Sequence, residues 1–143
     1  LAGAAVEDLI LKKEKEGAEI QKDLLLMSGQ AQDYLKVIAK ELSFIIGKKK
    51  KSVKDQQQLA DILNNIDIHE EIQRLGFHLA NFKKIILKNG EEPRGKEMDF
   101  ITQEMLREAN TIGAKSVSKK ISFSVVKIKT HIEKMREQLQ NVE

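Results

Sequence analysis

Apolar side chains recur along this chain at helical spacing, and the stretches that keep the spacing divide it into successive helical segments. In the first, Ile10, Gly17, Leu24, Ala31, Ile38 and Ile45 fall seven apart, and Val6, Ile20, Met27 and Tyr34 thicken the same stripe. That pattern predicts one helix over roughly 4–46, a rod of about 60 Å at the helical rise per residue. Such a rod outruns a compact small domain, so it has to pack along another long helix or another subunit. Gly17 and Gly29 are places where it could kink, each costing about 1 kcal/mol relative to Ala. A lysine-rich turn is expected from Gly47 to Ser52, with helix resuming over roughly 53–88. There Leu59, Ile62, Leu63 and Ile66 continue the apolar face, and Ile68, Ile72, Leu75, Leu79, Phe82 and Ile86 mark an inward stripe. Asp67 with Glu70 three residues later has the form of a capping box. Two readings follow: a fresh helix start after Asn64-Asn65, or one long helix bent there.

Residues 89–95, which include Gly90 and the single Pro93, form a loop. A third helix is expected over roughly 98–112, with Met98, Ile101, Met105 and Ile112 inward and Gly113 as its C-cap. In the last, expected over roughly 116–142, Ile121, Val125, Ile128, Ile132, Met135, Leu139 and Val142 recur at alternating steps of four and three, a coiled-coil seam. The expected fold is all-α: a long helical hairpin plus two further helices forming an extended bundle, in a single domain over 1–143. The apolar stripes exceed what one thin hairpin covers, so the bundle is expected to be oligomeric.

Composition narrows the classes. At 143 residues there is room for one domain with a core. With no cysteine, disulfides and thiolate metal sites are excluded, which fits a reducing, cytoplasmic setting. The longest uncharged runs fall far short of the roughly 20 residues of a membrane span. Leu1 in place of an initiator methionine suggests a piece of a longer protein. The net charge of +3 is unevenly spread: Lys48, Lys49, Lys50 and Lys51 form a block, with Lys36, Lys40 and Lys54 nearby. Such a block attracts polyanions, or is simply a solvated turn.

Two polar runs carry the candidate chemistry. Asp67-Ile68-His69-Glu70-Glu71-Ile72-Gln73-Arg74-Leu75 is followed one turn on by His78, and Glu71, Arg74 and His78 share one helical stripe. Downstream, Glu104 and Glu108 stack one turn apart beside Arg107, flanking the inward face. Two carboxylates so spaced can hold one hard divalent cation with several waters, or be a like-charge pair on a wet face. His69-Glu70-Glu71-Ile72-Gln73 lacks the second histidine of a zinc-protease helix, and no Glu-x-x-His pair of a di-iron bundle is present. Gly47-Lys48 has no phosphate-loop frame, and no Ser-His-Asp or Cys-His arrangement is legible. The residues alone thus indicate a long helical module with two polar runs, as metal or polyanion sites.

The runs together resemble the C-terminal region of the YicC/YloC family, bacterial proteins assigned as endoribonucleases. The shared residues are Asp67, Ile68, Glu70, Glu71, Arg74, Leu75 and His78, then Gly95, Asp99, Phe100, Gln103, Glu104, Arg107, Glu108, Asn110 and Thr111. Met135, Arg136, Glu137, Gln138, Gln140, Asn141 and Glu143 close the pattern, so the native C-terminus is expected here. Over 11–60 the likeness is thin, resting on Glu14, Glu16 and Gly17, and Gln58 stands where the family usually has glutamate. The resemblance implies an endoribonuclease acting on RNA with manganese or magnesium as its divalent metal, no small-molecule cofactor and no membrane partner. It also implies a ring-like homo-oligomer whose N-terminal domain, missing here, helps to enclose RNA. Glu71, Arg74, His78 and Arg107 are then the catalytic candidates, the arginines stabilising phosphate charge. Glu104, Glu108, Glu70 and Asp99 are candidate metal ligands, and Lys48, Lys49, Lys50, Lys51 and Lys96 candidate RNA contacts. The rival expectation is a non-catalytic oligomerisation or nucleic-acid-binding scaffold, in which Glu104 and Glu108 pair with Arg107 and with lysines of a neighbouring helix and hold no metal.

Overall fold

The structure is a computed structural model that describes residues 2–50, 56–88, 95–116 and 118–140. Side chains are described for these except 2–16, Lys49, Lys50, Gln56, Gln58 and Ile62. The described residues form four helices: α1 (Ala2–Lys50), α2 (Gln56–Leu87), α3 (Gly95–Lys115) and α4 (Lys119–Gln140). Each packs on its neighbours in sequence, and α4 closes the ring on α1. Every adjacent pair is antiparallel. Gln21 of α1 reaches Ile86 of α2, Arg74 of α2 reaches Glu108 of α3, Arg136 of α4 reaches Asp99 of α3, and Lys120 of α4 reaches Glu41 of α1. The fold is an up-down-up-down four-helix bundle.

The inward stripes supply the core. Leu24, Ala31, Ile38 and Leu42 of α1 meet Leu75, Leu79 and Phe82 of α2, Met105 and Ile112 of α3, and Ile128, Ile132 and Met135 of α4, all buried. Branched aliphatics and methionine fill a space that few aromatics occupy, as heptad-spaced packing requires. Val142 and the family-like residues 141–143 lie outside the described residues, as do Val6 and Ile10 at the side-chain level. Among the described residues no helix is long and apolar enough to cross a membrane.

Several local expectations give way to tertiary contacts. α1 does not turn at Gly47 but continues through Lys50, with the Lys48 ammonium 4.7 Å from the centre of the Phe44 ring one turn back. Lys51 lies outside the described residues. At 49 residues α1 is about 73 Å long, whereas α3, with 21, is about 32 Å. Asp67 caps nothing, because α2 runs unbroken through Asn64, Asn65 and Asp67. Its asparagine pair faces inward: Asn65 is buried, and the Asn64 side-chain amide donates to the Lys115 carbonyl at 3.2 Å, docking the end of α3. Gly113 is not a C-cap either. No described glycine has positive φ, and α3 continues to Lys115, whose ends are held by α2. Ser118 caps α4, its hydroxyl accepting from the Ile121 amide at 3.4 Å.

Leu59, Leu63 and Ile66 were expected inward and are exposed instead. The register explains this. Lys115 at the end of α3 lies beside Asn64, so Leu59 and Leu63 stand beyond the end of α3, while Ile66, level with its last turn, faces outward.

Candidate functional site

The two polar runs meet along the α2–α3 seam. Ile72, Leu75 and Leu79 of α2 and Met105, Ala109 and Ile112 of α3 are buried, so polar residues beside those stripes border the contact between the helices. Arg74 Nε–H donates to Glu108 Oε1 at 3.1 Å. The arginine is half exposed and the glutamate side chain nearly covered, at 52% and 12%. One turn further, Lys115 Nζ donates to Glu71 Oε1 at 2.7 Å.

Glu71 is the most unusual group in the seam, a carboxylate only 4% exposed. A buried charge needs a partner, and Lys115 supplies it. The hydrogen bond to Glu71 raises the lysine pKa above its ordinary value, helped by the charges of Glu71 and Asp67 and opposed by burial and by Arg74. The second oxygen of Glu71, Oε2, is buried with no hydrogen-bond partner in the structure.

The same register places His78 and Glu104 at one level, each a turn beyond the Arg74–Glu108 pair. His78 is half buried, its ring edge-on to Phe77 with centroids 5.9 Å apart. Glu70, Gln73, Arg74, Phe77 and His78 line an open groove on this side of α2. Glu104 also sits 3.8 Å from Arg107 of its own helix, and Arg107 points to solvent.

Other expected members lie elsewhere. Asp99 stands near the start of α3, accepting from Arg136 Nε of α4 at 3.3 Å and from Gln103 at 2.9 Å. It lines a depression with Lys96 and Arg136, away from Glu108 by about 13 Å of helix. Lys96 is therefore at the opposite end of the bundle from Lys48, while the side chains of Lys49 and Lys50 and all of Lys51 lie outside the described residues. The four expected acidic ligands are not gathered either: among the described residues no three of His, Asp or Glu come together as a metal site. Nothing local in the sequence marks Lys115, Arg136 or Asn64 as partners of these residues. Their partners are distant in sequence, and only the antiparallel register reveals them.

Against this geometry, comparison with known proteins is specific. A sequence model of the family described as endoribonuclease YicC-like, C-terminal, matches residues 25–143. A probable endoribonuclease YicC of Clostridioides difficile is 31% identical over 160 aligned residues, covering 97% of this chain and 54% of that protein. A probable endoribonuclease YicC of Haemophilus influenzae is 40% identical over 88 residues, covering 62% of this chain and 30% of that protein. The chain thus spans about half the length of the first relative and less of the second. Both polar runs, the seam they build and the Arg136 that pairs with Asp99 fall inside the matched region: the chain belongs to the YicC-like family and carries its C-terminal domain.

Proposed function

We propose that this helical bundle is the part of an endoribonuclease that presents catalytic groups to an RNA backbone, and that the α2–α3 seam is where it does so. The observation that carries the reading is the meeting of the two polar runs, through Arg74–Glu108 and Lys115–Glu71, beside the half-buried His78. Arg74 keeps one edge of its guanidinium on Glu108 and is exposed enough to present its terminal nitrogens to a phosphate. His78 is the side chain suited to taking a proton from a 2′-hydroxyl or returning one to a leaving oxygen. Glu71, fixed by Lys115, holds negative charge beneath them, and Arg107 adds a second exposed cation on α3. The chain is proposed to act as a homo-oligomer in a cytoplasmic setting.

The acids do not form a protein-only metal cage. One turn apart on α3, Glu104 and Glu108 would instead hold manganese or magnesium jointly with an RNA phosphate, as such ions are commonly held. A bound ion there would supply positive charge beside the scissile phosphate and lower the pKa of bound water.

The rival scaffold reading has its own support. Glu104 faces Arg107 and Glu108 faces Arg74, the pairing expected if these acids only balance cations. One experiment separates the two. The protein is incubated with a structured RNA in manganese, magnesium or chelator, alongside a Glu104→Gln, Glu108→Gln variant and a His78→Ala variant. Cleavage that needs metal and disappears in both variants is the expected result. Full cleavage in the double variant would remove the carboxylates from the site, and no cleavage in any condition would favour the scaffold.

A further inference from the structure

The opposite side of the bundle, where α4 packs on α1, is built for a different task. From Ser116 to Ile132 the sequence has no acidic residue and carries Lys119, Lys120, Lys127 and Lys129. The apolar stripe of α4 is already used in the core, with Ile121, Val125, Ile128 and Ile132 buried. What α4 turns outward is therefore a row of lysines, hydroxyls and isolated apolar groups, among them Phe123 at 59% exposure. On α1, Phe44 is left outward in the same way at 58%. Each exposed ring has an ammonium four residues on: Lys48 Nζ is 4.7 Å from the Phe44 centroid and Lys127 Nζ 5.3 Å from that of Phe123. Lys120 Nζ, 3.9 Å from Glu41, joins the two helices between these pairs.

We propose that this α1–α4 face is a track for single-stranded RNA, with Lys119, Lys120, Lys127 and Lys48 on phosphates and Phe123 and Phe44 under bases. The proposal rests on the RNA-directed reading above for its choice of polyanion, but on different residues. A ring with a cation beside it offers a base a stacking surface and the adjoining phosphate a counter-charge, the combination that binds single strands with little sequence preference. A membrane surface would need a broad outward apolar face, and α4 has spent that face on the core. In the ring of helices the α1–α4 and α2–α3 seams lie on opposite sides, so binding here and cutting there are separable.

Binding is read by fluorescence anisotropy of a labelled oligouridine, in chelator so that cleavage does not enter, across a series of salt concentrations. Replacing Lys119, Lys120 and Lys127 together with Gln is expected to reduce the slope of log affinity against log salt by about 2. Phe123→Ala is expected to weaken binding about tenfold without changing the slope, and to leave duplex RNA of the same length unaffected. Phe123→Tyr keeps a ring and should retain affinity, which distinguishes lost stacking from a damaged fold. Unchanged affinity in both the lysine variant and Phe123→Ala overturns the track. So does binding of phosphatidylserine vesicles through these residues in the absence of RNA binding. Should the protein cut no RNA in any metal while oligouridine still binds through Phe123 and the lysines, the track stands and the seam alone is refuted.

Discussion

At the scale of single residues, two titratable groups are held in states that stability measurements can detect. The Lys115–Glu71 pair is the first. Glu71 is buried and Lys115 partly open to solvent, so removing the lysine strands a carboxylate that water does not reach. Lys115→Met is expected to lower the melting temperature by several degrees, and adding Glu71→Gln should recover most of that loss. A double variant no better than the sum of the two single ones would mean that the pair is not coupled. Because the lysine pKa is raised, its contribution is fully present at neutral pH and lost only as pH climbs past the ordinary lysine value of 10.5 and through the folded one. His131 is the second group. Its ring lies 5.9 Å from that of Tyr34 across the α1–α4 contact, and its Nδ1 is buried without a partner. Burial first, then the charges of Lys134 and Lys127, push its pKa below the ordinary 6.5. The fold therefore favours neutral imidazole, and stability is lost as pH falls below 6.5 through the folded value. The melting temperature should fall more steeply between about pH 7 and about pH 5 in the wild type than in His131→Gln. Parallel profiles would show that His131 is indifferent to its charge.

At the scale of elements, the glycines test how much of each helix is propensity and how much is packing. A Cβ added at Gly29 meets nothing within 4 Å, whereas one at Gly113 comes within 3.2 Å of Val125 Cγ1. Both residues are helical, so Ala would gain up to about 1 kcal/mol in the absence of neighbours. Gly29→Ala is expected to realise most of that in denaturant melts, while Gly113→Ala gains less because Val125 must yield. Equal gains would mean that the α3–α4 contact at Gly113 is looser than its geometry. The same distinction explains what the sequence revealed. Stripes such as Leu75, Leu79 and Phe82 or Ile128, Ile132 and Met135 were legible because burial follows the helical period itself. Helix ends were not, since Asp67 and Gly113 carry end-forming chemistry that tertiary contacts override: Asn64 extends its amide to α3, and Lys115 reaches Glu71. Of the candidate site, Arg74 and Glu108 could be placed on their helices, but which acid meets which cation depends on a register between residues 34 apart. No local pattern encodes it. Asp99 shows the consequence, for it shares a helix with Glu104 and Glu108 yet answers to Arg136 of α4.

At the scale of the whole molecule, the helices are unequal, and the inequality leaves apolar surface uncovered. Around the end of α3, Leu59 and Leu63 beyond it and Ile66 level with its last turn stand at 49%, 55% and 42% exposure, spaced to lie along one side of the helix. A lone exposed leucine is ordinary, but three aliphatics in a row, where α2 is running out of its α3 neighbour, make a surface that another protein can cover. Self-association is the economical solution, because a two-fold axis through such a row sets the whole row against its own copy, Leu59 facing Ile66 and Leu63 near the axis. The protein is therefore expected to be a dimer or larger at tens of micromolar. Leu59→Gln, Leu63→Gln and Ile66→Gln combined should return it to the monomer without lowering its thermal stability at high dilution, since these side chains leave little area to lose from the bundle itself. Multi-angle light scattering checks both statements. A monomeric wild type would leave the row as bare surface and remove the self-association argument. A triple variant that keeps the wild-type mass would place the interface on another face, with the outward Phe100 and Phe77 next to be tested.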